Sequence, residues 1–105
     1  LSEELQYAEH VEQMIRQVLL TSPGERVNRP DFGCGLRRMV FAPNGDVTAG
    51  LTQITVYQAL EKWLGDLISV QQVKVRAAEE KLEVEIHYIL KVRRERRHLN
   101  LEVSL

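Results

Sequence analysis

The chain contains a single cysteine, Cys34, so no internal disulfide can form. That excludes a small secreted domain held together by disulfides. Aromatic residues make up only 6%, and there are three prolines. No apolar run approaches the roughly 18 residues of a membrane span. The run Val18-Leu19-Leu20 stops at Thr21. No charge sign is in excess: 14 Lys+Arg stand against 15 Asp+Glu, for a net charge of −1. Such a balance gives no global attraction to nucleic acid or to an anionic membrane. The first residues include Glu3, Glu4 and Glu9, unlike a secretory signal, and a cytoplasmic location is expected. The remaining composition is that of a globular domain. With 105 residues, 44% of them hydrophobic and 28% charged, the chain suits one domain with one modest core.

Residues 2–20 read as an amphipathic helix. Ser2 is placed to cap it, and Glu3 and Glu4 complement its dipole. Leu5, Ala8, Val11, Ile15, Val18 and Leu19 share one face. Thr21-Ser22-Pro23-Gly24 ends the helix. Residues 21–46 form a shaped loop with all three prolines and four of the six glycines. A short strand near Arg26–Asn28 and a helical turn over Leu36–Phe41 fit inside it, and Pro43-Asn44-Gly45-Asp46 reads as a turn. Residues 47–67 read as a second helix, capped by Asp46 or Thr48. Its expected core stripe is Leu51, Ile54, Tyr57, Leu60, Leu64 and Leu67, with Trp63 beside it. Residues 70–105 alternate with period two, as antiparallel strands with one core face do. The turns are expected at Ala78-Glu79-Glu80-Lys81 and at Arg93–Arg97. The whole is a single α+β domain over residues 1–105, two main helices packed on a small antiparallel sheet.

Few residues carry obvious chemistry. Glu83 and Glu85 share a strand face about 7 Å apart by strand rise, which suggests a glycan hydrolase pair or a solvated sheet face. His10, His87 and His98 sit on three separate elements, and none stands at metal-ligand spacing from Cys34. Cys34 lies between Gly33 and Gly35 and reads as a small structural residue. The run Lys91–Arg97 holds five basic residues and one acid. It reads as a nucleic-acid contact, as a dock for an acidic protein, or as a solvated hairpin turn. No cofactor is expected. A sheet this small ends in exposed edges, and edges accept strands from partners.

The loop is more specific. The run from Thr21 to Leu36, TSPGERVNRPDFGCGL, is followed by Val40-Phe41-Ala42-Pro43-Asn44. It resembles the signature of the contractile-tail baseplate wedge family of myophages, type VI secretion systems and extracellular contractile injection systems. The order helix, T-x-P-G-E-R loop, P-D-F-G-x-G-L, helix and sheet is similar along nearly the whole chain. Pro30, Asp31, Phe32, Gly33, Gly35 and Leu36 are expected to hold the loop. Asp31 would cap local backbone N–H groups and Phe32 would anchor the loop in the core.

The resemblance implies a non-enzymatic structural part of a contractile particle. It would join the wedge to the central hub and start sheath assembly by accepting a strand from the first sheath ring. The implied partners are the sheath subunit, other wedge proteins and the hub or tube proteins. About six copies per baseplate are implied, without nucleic acid or membrane insertion. Glu25, Arg26 and Trp63 are candidate partner contacts. So are the strand segments His87, Tyr88, Ile89, Leu90 and Leu99, Leu101, Val103, and the basic residues Arg93, Arg94, Arg96 and Arg97. One departure stands out. Many members carry Glu-Pro-Arg after the second helix, where this chain reads Trp63-Leu64-Gly65-Asp66-Leu67-Ile68. That leans toward a phage-tail-like particle or injection system over type VI secretion, with Trp63 as a substitute anchor. Three other functions remain as alternatives: a lysozyme-like hydrolase, a basic-turn nucleic-acid module and an adaptor-binding regulator.

Overall fold

The computed structural model describes residues 3–39, 45–78 and 80–104. Helix α1 spans Glu3–Leu20, α2 spans Leu36–Met39 and α3 spans Gly45–Leu64. Three strands follow: β1 (Ile68–Ala78), β2 (Lys81–Leu90) and β3 (Glu95–Ser104). They form one antiparallel sheet in the order β1-β2-β3, so β2 is central and β1 and β3 are edges. The α+β class and the C-terminal sheet agree with the sequence reading. Ser2, the Pro43-Asn44-Gly45-Asp46 turn, the caps Asp46 and Thr48, and Glu79 of the first hairpin lie outside the described residues, wholly or by their side chains.

The period-two pattern is realised most cleanly in β2, where Leu82, Val84, Ile86, Tyr88 and Leu90 are buried and the residues between them are half-exposed. Leu99, Leu101 and Val103 of β3 share that inner face. From α1, Ala8, Val11, Ile15, Val18 and Leu19 complete the core, as helical spacing predicts. In β1 the alternation changes phase. Gln71 is an extra residue between Val70, opposite Tyr88, and Gln72, opposite His87. This bulge moves the inward set from Ile68 and Val70 to Val73 and Val75.

Four expectations need correction, the last two in the loop and the second hairpin. First, α3 ends at Leu64, not at residue 67. The Gly65 amide closes the last turn onto the Glu61 carbonyl, and a Cβ at Gly65 would collide with that oxygen. Gly65 to Leu67 turn instead, and β1 begins at Ile68. Second, α3 is rotated from the expected stripe. Thr52, Val56, Leu60 and Leu64 are buried, whereas Leu51, Ile54 and Tyr57 face outward. Thr52 is accommodated because its hydroxyl donates to the Met39 Sδ of α2 at 3.3 Å. Third, residues 26–28 form turns and not a strand. Fourth, the second hairpin turn covers Lys91–Arg94. Arg94 takes positive φ there (52°), and Leu90 pairs with Glu95 across the turn.

The loop after α1 is fastened to that helix. The last carbonyls of a helix have no partner within it. Here the Cys34 amide donates to Val18 O (2.8 Å) and the Gly35 amide to Thr21 O (3.0 Å). Gly33 makes this approach possible. Its φ is +110°, and a Cβ would collide with the Thr21 carbonyl oxygen. Further back, Gly24 donates to Pro30 O at 2.7 Å, closing the loop on itself.

Candidate functional site

The signature loop meets the C-terminal end of α3 in a cation–aromatic cluster. Phe32 and Trp63 pack edge to face, with centroids 4.9 Å apart. The Arg26 guanidinium lies 4.2 Å from the Phe32 centroid. Arg29 and Lys62 lie 5.6 Å and 5.0 Å from the Trp63 ring. Lys62 also donates to Asp31 Oδ2 at 3.1 Å, and this bond chiefly holds the Asp31 carboxyl below its ordinary range. The principal partner of Asp31 is thus a side chain on α3, and the expected local backbone bond, to its own N–H, comes second. The cluster unites the candidates Arg26 and Trp63 with the loop residues Asp31 and Phe32. Glu25 is exposed at the loop tip, next to the almost fully exposed Val27. Arg29 and Lys62 escaped the sequence reading, because a contact across thirty-one residues leaves no local pattern. Cys34 is buried beneath the loop, and desolvation pushes its thiol up to about 11, far from the range of a nucleophile at neutral pH.

The basic residues of the second hairpin divide into two kinds. Arg93 and Arg97 are half-buried and engaged within the domain. Arg93 faces Tyr7 and Glu4 of α1 and also Glu95, and Arg97 pairs with Glu95 at 3.5 Å. Arg94 and Arg96 are exposed, with Arg96 in β3 and not in the turn. Among the strand candidates, Tyr88, Leu90, Leu99, Leu101 and Val103 are core residues, so their side chains do not face a partner. Burial raises the Tyr88 hydroxyl, and Arg97 beside it works in the opposite direction. The segment His87–Leu90 also has no free backbone edge, because β2 pairs on both sides along its length. Among the described residues, only β1 and β3 offer open edges.

The outer sheet face carries Lys74 and Arg76 from β1, Glu83, Glu85 and His87 from β2, and His98, Asn100 and Glu102 from β3. A shallow depression of about 460 Å³ lies over its middle. The acids of the hydrolase alternative are both paired. Arg76 Nε donates to Glu83 Oε2 at 3.1 Å, and Glu85 lies 3.7 Å from Lys74 and 2.9 Å from His87 Nε2. The hydrogen bond with His87 holds the Glu85 carboxyl below its ordinary range. A glycosidase general acid needs the opposite shift. His87 and His98 stack at 5.8 Å across the strands. His10 is exposed on α1. Among the described residues, no group of three or more His, Cys, Asp or Glu is arranged to hold a metal ion, and no helix is long and apolar enough to cross a membrane.

A three-stranded sheet with two edge strands, a helical layer on one face and a loop fastened to both main helices defines a small α+β domain. The chain belongs to the family of baseplate wedge protein gp25, whose model matches residues 5–95. Among solved structures, a Geobacter sulfurreducens protein provisionally described as a tail lysozyme is 35% identical with a TM-score of 0.84. That match covers 100% of this chain and 94% of the other. A chain of the post-contraction pyocin R2 baseplate is 28% identical with a TM-score of 0.66, covering 78% of this chain and 83% of its own. Comparison with curated protein sequences yields no match.

Proposed function

We propose that the protein is a structural, non-enzymatic component of the baseplate of a phage-tail-like contractile particle. It joins the wedge to the central hub and accepts an extended arm from the first sheath ring, so that the sheath grows from it. About six copies serve one baseplate, assembled in the cytoplasm. The observation that carries this reading is the pair of open sheet edges on a domain of the baseplate wedge family. The likeness to a pyocin baseplate chain supports it. An open edge presents unpaired N–H and C=O groups, and an added strand satisfies them while its side chains supply specificity. The cation–aromatic cluster around Trp63 is the surface assigned to the other wedge proteins. Its Trp63 lies in the stretch where the family resemblance leads to an expectation of Glu-Pro-Arg.

Affinity purification of the tagged chain from producing cells tests this assignment. The expected result is recovery of sheath, tube and wedge proteins, with rod-shaped particles by negative-stain microscopy. Recovery of the chain alone would overturn it. Peptidoglycan turbidity should stay constant when the chain is added. Clearing that Glu83→Gln abolishes would establish the hydrolase alternative instead.

A further inference from the structure

The outward flank of α3 and the open edge of β1 meet in one depression of about 430 Å³. Ile54, Tyr57 and Gln58 line it from α3, and Gln72 and Val73 from β1. None of its lining residues carries a charge, in a chain that is 28% charged. Leu51, Ile54 and Tyr57 are 61%, 57% and 46% exposed. Their spacing of three places them along one side of the helix. A single exposed apolar residue is ordinary, whereas a stripe of them beside a free sheet edge marks a surface to be covered. Among the described residues, no backbone hydrogen bond reaches the outward side of Gln72–Ala77.

Resting on the strand-accepting role proposed above, we infer that the sheath arm adds at β1, on the run after Gln71. The arm is an extended segment with apolar side chains on one face and acidic side chains on the other. A strand about 4.8 Å beyond β1 continues the sheet beneath the α3 flank. Its inward side chains cover Ile54 and Tyr57. Its outward side chains stand beside Lys74 and Arg76, which pair with Glu85 and Glu83 across the strands yet keep most of their side-chain surface exposed toward the edge. The β3 edge offers no comparable gain, because Leu99, Leu101 and Val103 are already covered. A second copy of this chain is the wrong occupant. Antiparallel pairing of two β1 edges about Val75 sets Lys74 and Arg76 against the same residues of the other copy.

Hydrogen exchange read by mass spectrometry distinguishes the edges. Complete particles are compared with baseplates from cells lacking the sheath protein. Outward amides within residues 72–77 should exchange at least tenfold more slowly when sheath is present, with residues 96–103 unchanged. Slowing at 96–103 instead, or at both edges, overturns the assignment to β1 and leaves the strand-accepting role standing. Slowing at neither edge in sheathed particles overturns that role as well. In a second arm, the double variant Ile54→Lys/Tyr57→Lys changes only exposed positions. It should remain in baseplates and yield tubes without sheath, and fully sheathed particles from it would overturn the β1 site.

Discussion

Gly33 shows how closely a single residue can be specified. Its positive φ and the missing Cβ let the loop amides reach the end of α1. Gly33→Ala should therefore cost about 2 kcal/mol or more, since backbone strain and a collision with a carbonyl act together. Urea denaturation followed by circular dichroism measures it. Glu85 is a different case. Its carboxyl titrates below the ordinary 4.5, chiefly because of the hydrogen bond with His87. A carboxyl whose pKa falls on folding stabilises the fold above its unfolded value, and that contribution disappears as pH falls through the folded one. Any stability gap between the native chain and Glu85→Gln should therefore be widest near pH 6 and narrow steadily below pH 4.5. Denaturant midpoints across pH 3–6 measure the gap, which is small because the pair is exposed.

At the level of elements, the strands were more legible than the second helix. The alternation from Leu82 to Leu90 admits one inward set, and β2 buries that set. In α3, apolar residues occupy two sides: Val56, Leu60 and Leu64 on one, Leu51, Ile54 and Tyr57 on the other. Spacing alone cannot rank two such stripes. Burial of Thr52 through its bond to Met39 depends on α2, a separate element thirteen residues earlier, beyond the reach of helical periodicity. The surplus of apolar residues was nonetheless readable, and a helix with more of them than one face can bury has a surface left for a partner. The chosen face has a simple consequence. Leu60→Ala should cost about 2–5 kcal/mol through the cavity it leaves, and Ile54→Ala should stay within about 0.5 kcal/mol. Parallel thermal melts and urea titrations of the two variants check this contrast. The bulge in β1 was hidden for a plainer reason. Gln71 and Gln72 are both polar, so neither marks which one is extra.

For the molecule as a whole, the hydrophobic core dominates and electrostatics contribute little. Net charge is −1, and the salt bridges join partly or largely exposed side chains. Surface pairs of this kind are worth at most about 1 kcal/mol each and often nothing measurable. Raising NaCl from about 0.05 to 0.5 M should therefore shift unfolding stability by less than about 1 kcal/mol. A larger loss would mean that the partly buried Arg93, Glu95 and Arg97 group carries more of the fold than its geometry suggests. Assembly behaviour was the least legible part of the sequence. A chain pattern shows that strands exist, whereas which of them ends up at an edge is set by their order in the sheet.

The bulge at Gln71 bears on that edge in a second way. Removing Gln71 alone would let Val70 and Gln72 alternate without interruption, making β1 a straight, regular strand. A straighter strand sounds like an improvement, yet a long flat edge is also a template for indiscriminate stacking. The extra residue breaks the regular alternation between Val70 and Gln72, so a strand in unbroken register can pair along only one side of it. A break of this kind in an edge strand is one of the means by which sheets keep their edges from pairing with one another.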